Sequence, residues 1–323
     1  FVVYKLPSLI QSDFARDGTG MAYMDSQLSR WLLLNATIDE LHQPVAYTLN
    51  QIYSRMDSFL YLLYNDDTPG ERKQSSYRAH AKGALAFDRK TGFWLVHTIP
   101  RYPPPAREGY TYPKSASING QVMLCLSLNS DQLEKIGLQM DYMRPQVYDS
   151  FSSNDFAVEH KSIWAFVKGA KKVVDEDFSN METLTTMAGT KIVSFAKSRN
   201  FGKDLYEDLI SPTLRNNLLV QSWMNGQKNL NSACKVKYTV KNIKTLDFDG
   251  MAFKSSKDHS KWAMDFSEND RWFCIGDINR QASQATRGGG ALCIRDDEVW
   301  KGFHDSIRTV EGCDGQEVPA DQE

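Results

Sequence analysis

The sequence predicts a mixed α/β (α+β) protein of two similar halves, each with a mixed β-sheet flanked by helices, packed about a pseudo-two-fold axis. Three observations point there. Apolar, β-rich runs alternate with stretches of helical period, as expected of layered sheet and helix. A strand–turn–strand unit recurs along the chain at a fixed offset. The composition is that of an ordinary globular protein, 323 residues with 41% hydrophobic and 24% charged, which supplies a sizeable core. A disordered tail, a coiled coil and a mini-protein are excluded.

The expected strands are Phe1 to Leu6, Phe59 to Tyr64, Phe93 to Val96, Val122 to Leu128, Ile192 to Phe195 and Leu218 to Trp223. Helical period covers Pro44 to Met56, Gln132 to Met140, Phe156 to Lys168 and Lys203 to Ile210. Pro44 suits the opening turn of the first, Ser130-Asp131 caps the second, and Pro212 ends the last. Pro103-Pro104-Pro105 reads as a stiff surface connection, and the mixed-charge run Lys168 to Asp177 as a solvated edge. Arg144 to Asn154, where Pro, Ser and Asn cluster, reads as the link between halves. The expected division is 1–150 and 151–323, two halves of one compact unit.

Shifting the chain by 259 − 80 = 179 residues lays His80-Ala81-Lys82-Gly83-Ala84-Leu85-Ala86-Phe87 over His259-Ser260-Lys261-Trp262-Ala263-Met264-Asp265-Phe266 without a gap. The register persists, with Phe93-Trp94-Leu95-Val96 on Trp272-Phe273-Cys274-Ile275. Polar turns, Asp88 to Gly92 and Ser267 to Arg271, separate the two parts of each copy. His-x-Lys alone is a weak motif. Two of them, each the same distance ahead of an aromatic and an aliphatic pair, mark a duplication.

Side chains at i and i+2 of a strand point the same way, about 6.5 Å apart. His80 and Lys82 therefore share one face, as do His259 and Lys261. If the two strands meet at the pseudo-axis, two imidazoles and two ammonium groups converge, a set suited to a phosphodiester. Two Lys charges bind the phosphate and stabilise the added charge of a pentacoordinate transition state without a metal ion. One neutral His attacks phosphorus while the other, protonated, donates to the leaving oxygen. A single His at a strand end is more simply a hydrogen-bonded structural residue; the repetition reverses that reading.

His42, His160 and His304 read as structural or surface residues, and His97 as a group beside His80 that orients the site. In the second copy Gly276-Asp277-Ile278-Asn279-Arg280 follows the strand. Asp277, Asn279 and Arg280 are candidates for orienting the site or binding phosphate, against the plainer reading of a capped tight turn. Arg287-Gly288-Gly289-Gly290 matches neither GxxxxGK[ST] nor GxGxxG and reads as a flexible turn. HExxH is absent, and Asp66-Asp67, Asp247-x-Asp249 and Asp296-Asp297 read as loop caps. No metal and no cofactor are expected.

Lys and Arg number 38 against 40 Asp and Glu, a net charge of −2, so bulk charge does not point to nucleic acid. Charging all six His in an acidic compartment would take the balance to about +4. The apolar run Phe59 to Tyr64 falls far short of the ~20 residues that a membrane helix needs. Five cysteines, at 125, 234, 274, 293 and 313, show no C-x-x-C zinc spacing. With the glycosylation sequon Asn35-Ala36-Thr37 they suggest an oxidising, secretory-route protein. The chain opens on Phe1-Val2-Val3, without Met or a charged leader, so an upstream segment is expected to have carried the partner of the odd cysteine.

Taken in order, Phe1-Val2-Val3-Tyr4-Lys5-Leu6-Pro7, His80-Ala81-Lys82-Gly83, Gly92-Phe93-Trp94-Leu95-Val96-His97, Ser194-Phe195-Ala196-Lys197, Asp258-His259-Ser260-Lys261-Trp262 and Gly276-Asp277-Ile278-Asn279-Arg280 resemble the deoxyribonuclease II family over nearly the whole length. These are acid endonucleases of the phospholipase D-like superfamily. The resemblance implies a phospholipase D-like fold and metal-independent cleavage of double-stranded DNA through a phosphohistidine, leaving 3′-phosphate and 5′-hydroxyl ends. It carries over His80, Lys82, His259 and Lys261 as catalytic, and His97 as important to activity. The superfamily's HxKxxxxD is not kept, since Phe87 and Phe266 stand at its last position, and no role of that Asp transfers. Gly276-Asp277-Ile278-Asn279 is similar to GSxN with Asp for Ser, whereas the first copy has His97-Thr98-Ile99-Pro100. The halves are not equivalent, and which His is the nucleophile stays open.

The resemblance further implies disulfides Cys234–Cys313 and Cys274–Cys293, Cys125 paired with a Cys upstream of Phe1, a lysosomal or secreted destination, and a homodimer as the DNA clamp. Spacing alone leaves the connectivity open. Two rival readings keep the fold. One is a secreted DNA-binding or host-interaction protein with little or no turnover; the other is a phospholipid-cleaving relative. Because one imidazole must be neutral and the other charged, neighbouring Lys charge must push their pKa values apart, and a bell-shaped profile below neutrality is expected.

Overall fold

The computed structural model describes residues 1–55, 60–70, 77–168, 178–266 and 270–320. Its apolar runs form two large sheets. The first contains β1 (Val2–Lys5), β2 (Met21–Met24), β3 (Leu32–Leu33), β4 (Leu60–Tyr64), β5 (Gly83–Phe87), β6 (Thr91–His97), β7 (Gln121–Asn129) and β8 (Val147–Phe151), in spatial order 3-2-1-7-6-5-4-8. It is antiparallel throughout.

The second contains β9 (Ser179–Thr185), β10 (Lys191–Lys197), β11 (Leu218–Gln221), β12 (Val240–Phe248), β13 (Met251–Lys254), β14 (Trp262–Asp265), β15 (Trp272–Gly276), β16 (Gly289–Arg295), β17 (Ile307–Glu311) and β18 (Glu317–Pro319). Its order is 18-17-12-11-14-15-16-10-9, with β13 on β12, and it is mixed through the parallel pair β11–β12.

The sheets share a plan. Strands β1-β7-β6-β5-β4 of the first correspond in order to β10-β16-β15-β14-β11 of the second. The match extends to register: Leu95 faces Cys125, and its counterpart Cys274 faces Cys293. That last pair is a cross-strand disulfide, and a second joins Cys234 to Cys313. Cys125 is buried and unpaired among the described residues, and its backbone pairs with Phe1.

Six α-helices complete the described fold: α1 (Pro44–Ser54), α2 (Leu133–Met143), α3 (Asn154–Glu159), α4 (Lys161–Val167), α5 (Ser211–Leu214) and α6 (Asp297–Ser306). Helix α1 starts where Pro44 fits the first turn and the Gln43 side chain accepts from Val45 N. Helix α6 starts where Asp296 accepts from Glu298 N and Val299 N. Helix α2 follows β7 and packs on β9, β10 and β16 of the opposite sheet. Helix α6 follows β16 and leans on the first half, where Gly302 O accepts from Trp31 Nε1 at 2.9 Å. Between the sheets lies one shared core, with Leu62, Leu85, Trp94 and Leu124 from one half and Trp262, Met264, Ile275 and Leu292 from the other. Each such side chain contributes about 1.5–3 kcal/mol on burial, so the contacts across this core stabilise the two halves together.

Several local expectations change. Arg144 to Asn154 is more than a link, because it carries β8, which pairs with β4. Pro103 and Pro104 are buried rather than on the surface, and their carbonyls accept from Tyr148 and Tyr53. The helix expected from Phe156 to Lys168 breaks at His160 into α3 and α4. Pro212 does not stop its helix: a π-turn over Tyr206–Ile210 passes into α5, whose first turn does not need the missing N–H. Residues 56–59, 169–177 and 267–269, parts of an expected helix end and strand start, the charged run and the second turn, lie outside the described residues.

Candidate active site

Both His-x-Lys motifs lie in extended segments immediately before β5 and β14, rather than inside the strands. Sheet pairing nevertheless continues past them: Lys82 O accepts from His97 N at 3.2 Å, and Lys261 O accepts from Gly276 N at 2.9 Å. Each motif is then fixed by the opposite half. His80 N donates to Gly288 O at 2.9 Å, and His259 N donates to Gly120 O at 2.8 Å. The Nδ1–H of His80 donates to the carbonyl of Asp277, and that of His259 to the carbonyl of Thr98 at 3.2 Å. Gly120 and Gly288 each precede β7 or β16; Thr98 and Asp277 each follow β6 or β15. The two sets are therefore equivalent under the duplication, and the exchange is reciprocal.

The tautomers follow from these partners. A carbonyl only accepts, so Nδ1 carries the proton and Nε2 keeps its lone pair on both rings. Lys261 Nζ lies 3.2 Å from His259 Nδ1 but also donates to the His259 carbonyl, which leaves the Nδ1 proton to Thr98. Glycine is required where the halves touch, at Gly120 and Gly288, and where β16 lies against β10, at Gly290. A Cβ at Gly288 would stand 2.1 Å from Met143 O, one at Gly290 2.1 Å from Phe195 O, and one at Gly120 2.4 Å from Asp258 Oδ1. The Gly288-Gly289-Gly290 run is thus a close-approach device at the start of β16, not the flexible turn its sequence suggested.

Charge converges here as well. Burial, then the Lys82 charge, hold the His80 imidazole well below the usual His range, with Lys261 and Arg287 acting the same way and Asp66 opposing. Burial, Lys261, Lys82 and His80 lower His259. Residues of each motif thus act on the other, and burial and charge together favour the neutral form of both imidazoles. Burial and Lys82 also lower Lys261.

The two sides differ in one position. Tyr64 faces Gly83 and Gln221 faces Trp262, so two residues further on Asp66 and Trp223 are counterparts. The Asp66 carboxylate is buried, pairs with Lys82, meets Arg287 Nη2 at 3.0 Å, and lies 3.9 Å from His80 Nε2. Lys82, His80 and Arg287 together hold it well below the ordinary carboxylate range despite its burial. Beside His259 stands the Trp223 ring, 5.2 Å between centroids. Neither Asp66, read as a loop cap, nor Arg287 was singled out as a site residue from the sequence.

Other expected residues are placed as follows. His97 is fully buried, its Nδ1 accepts from Ile99 N at 3.1 Å, and burial pushes it down to about 3. It shapes the turn that aims Thr98 O at His259. It lines, with Lys82 and Asp277, a small cavity of about 30 Å³. The Asp277 side chain accepts from Gly290 N at 2.8 Å and burial raises its carboxyl to about 7. Asn279 accepts from Trp223 N at 3.3 Å. Arg280 is a correction: fully buried, it bonds Asn231 O, Asn242 and Glu207, a structural knot rather than a phosphate ligand. Asp296 caps a helix and Asp249 sits in the β12–β13 turn, while His42 and His304 are exposed and His160 sits between α3 and α4. Among the described residues no cluster of three or more His, Cys, Asp or Glu is placed to hold a metal ion, and no helix is long and apolar enough to cross a membrane.

The family model described as Deoxyribonuclease II matches residues 1–313 of this chain. The chain is 39% identical to plancitoxin-1 of Acanthaster planci, over 97% of this chain and 89% of that one. It is 36% identical to deoxyribonuclease-2-alpha of Mus musculus over 97% and 90%, and 34% identical to deoxyribonuclease-2 of Caenorhabditis elegans over 97% and 90%. Among solved structures, a polyphosphate kinase from Porphyromonas gingivalis aligns with a TM-score of 0.29 and 10% identity over 70% of this chain and 32% of its own, too slight a likeness to carry an argument.

Proposed function

The chain belongs to the deoxyribonuclease II family and is a deoxyribonuclease, and from that premise we propose that it hydrolyses double-stranded DNA without a metal ion, by two displacements at one phosphorus. The reciprocal docking of the two His-x-Lys motifs carries this reading: it brings two neutral imidazoles, each with its Nδ1 proton anchored, to one cluster of positive charge. Lys82, Lys261 and Arg287 attract the phosphate and stabilise the extra charge of the pentacoordinate state. His259 Nε2 attacks phosphorus, the bond to the 5′ oxygen breaks, and His80 Nε2–H protonates that oxygen. Water, deprotonated by His80, then attacks the phosphohistidine. The P–N bond breaks, and the products are a 3′-phosphate and a 5′-hydroxyl.

Asp66 supports this assignment of roles. A carboxylate on the Nε2 side of His80 favours a proton there and disfavours a lone pair aimed at an anion, whereas the matching position beside His259 holds the Trp223 ring in place of a carboxylate, and burial with the Lys261 and Lys82 charges favours the neutral ring. Acid operation follows from the same charges. In the free site His80 titrates well below its usual range, so the acid form is scarce at neutrality. An arriving phosphate about 4 Å away restores roughly 3 pKa units at an effective dielectric of about 20. Two disulfides and the exposed sequon residue Asn35 support a secretory route, lysosomal or secreted.

The test is plasmid cleavage in EDTA at about pH 5, with His80→Ala and His259→Ala in parallel. Cutting by the parent and loss of at least about 10³-fold in both variants is expected. Undiminished cutting by both variants overturns the site, and binding without cutting by the parent favours the inactive DNA-binding reading.

A further inference from the structure

Two buried lysines outside both motifs occupy equivalent places. Lys5 ends β1 opposite Gln121, and Lys197 ends β10 opposite Gly289; Gln121 and Gly289 are the first residues of β7 and β16. Both lysines are 0% exposed. Lys5 Nζ donates to Ser117 O at 2.8 Å and to Asn119 O. Lys197 Nζ donates to Gln284 O at 3.1 Å, Ala285 O at 2.9 Å and Arg287 O at 2.6 Å. With 288 − 120 = 168 relating Gly120 to Gly288, Ser117 and Asn119 correspond to Ala285 and Arg287. Each ammonium therefore gathers the carbonyls of the turn that ends at Gly120 or Gly288, the residue whose own carbonyl holds the histidine of the other half.

We propose that Lys5 and Lys197 are crossed positioning residues: Lys5, in the first half, sets His259, and Lys197, in the second, sets His80. A buried ammonium is expensive unless its donors are satisfied, and at each lysine the carbonyls of the turn supply that satisfaction, which ties the turn's shape to the charge. Removing it leaves two or three convergent carbonyls without a donor, and their mutual repulsion opens the turn. Displacement of Gly120 O or Gly288 O then releases the histidine backbone. Burial lowers Lys5 to about 7 and Lys197 to about 8; Asp258 and Asp17 oppose the fall at Lys5, and Asp277 and Asp204 at Lys197, where Arg287 adds to it. Both are therefore cations in the acid range where the site works.

The proposal rests on the two-histidine reading above, and the test separates the two. Lys5→Met and Lys197→Met are compared with His259→Ala and His80→Ala on plasmid DNA and on the p-nitrophenyl ester of thymidine 3′-phosphate, whose leaving group needs no proton. Each lysine variant is expected to reproduce the substrate profile of the crossed histidine variant, whichever roles the histidines hold. With the roles assigned here, Lys197→Met loses about 10²-fold on DNA and releases a burst of p-nitrophenolate close to that of the parent, whereas Lys5→Met loses on both. Amide hydrogen exchange gives an independent reading: Lys197→Met speeds exchange at His80 N–H alone, and Lys5→Met at His259 N–H alone. Lys5→Gln and Lys197→Gln, which keep one donor, serve if the Met variants do not fold, with smaller changes in the same crossed pattern. Uncrossed pairing, equal effects on both histidines, or no effect on either overturns the proposal. Failure of the histidine variants themselves to lose activity overturns the two-histidine reading instead.

Discussion

Replacing Asp66 by Asn removes the charge that distinguishes the two imidazoles. Its Oδ2 lies 3.9 Å from His80 Nε2, which at an effective dielectric of about 20 corresponds to about 4 kcal/mol, or about 3 pKa units. Lys82 and Arg287 share the same carboxylate, so part of its field is already spent on them. Once it is gone they stand uncompensated, and they push His80 the same way, downward. A fall of at least about 1 pKa unit is therefore expected, and each unit reduces the protonated fraction tenfold above the pKa. In the nicking of supercoiled plasmid, Asp66→Asn should move the optimum to lower pH and reduce the rate at about pH 5 by about 10- to 100-fold. Release of p-nitrophenolate in the first turnover, which needs no acid, should change far less. Near-UV circular dichroism checks that the core is intact. An optimum that stays in place, or moves to higher pH, with a folded variant refutes the assignment of His80 as the acid.

Trp223→Ala should act with opposite sign: water admitted beside His259 raises its pKa, the ring is protonated earlier, and the optimum moves to higher pH with about 3- to 10-fold loss at about pH 5, read from the same profiles. Gly288→Ala places a Cβ 2.1 Å from Met143 O; a cost of about 1–3 kcal/mol in urea unfolding and a loss of about 10²-fold in turnover are expected. Asp277→Asn should flatten the dependence of stability on pH. The folded carboxyl keeps its proton up to about 7, while in the unfolded chain it ionises above about 3.9. The folded state therefore binds the extra proton across that window, and stability falls as pH rises through 7. The Asn variant lacks this loss, so its stability relative to the parent should be higher at about pH 8 than at about pH 5 in urea titrations.

Much of this was legible in the residues because it is local. The His-x-Lys repeat, the β5–β6 and β14–β15 hairpins and the start of α1 depend on spacing, capping and alternation that lie within a few residues of one another, whereas Ser130 and Asp131 do not cap α2, which begins at Leu133 after a 3₁₀ turn over Ser130–Gln132. Asp66 escaped because its role depends on β4 pairing with β5 across a long loop, and in isolation Asn65-Asp66-Asp67 after a strand is indistinguishable from a cap. One signal was available: apolar residues from Leu60 to Tyr64 run straight into it, which places the carboxylate at the end of a buried strand. Arg280 failed in the other direction. An Arg after a tight turn looks like a phosphate ligand until its neighbours Asn231, Asn242 and Glu207, all distant in sequence, are seen to surround it. The glycines from 288 to 290 were read as freedom, whereas packing against Met143 and Phe195 makes them a constraint.

The shared-phosphate mechanism is tested most directly by trapping its intermediate. An oligodeoxynucleotide carrying a radiolabel on its 5′ fragment is mixed with excess protein, quenched in alkali, in which a P–N bond to imidazole survives, and the labelled peptide is mapped. Label on the peptide containing His259, abolished by His259→Ala, is expected. Turnover of the same DNA with no label on either imidazole, or with label on a peptide that contains neither motif, would contradict it.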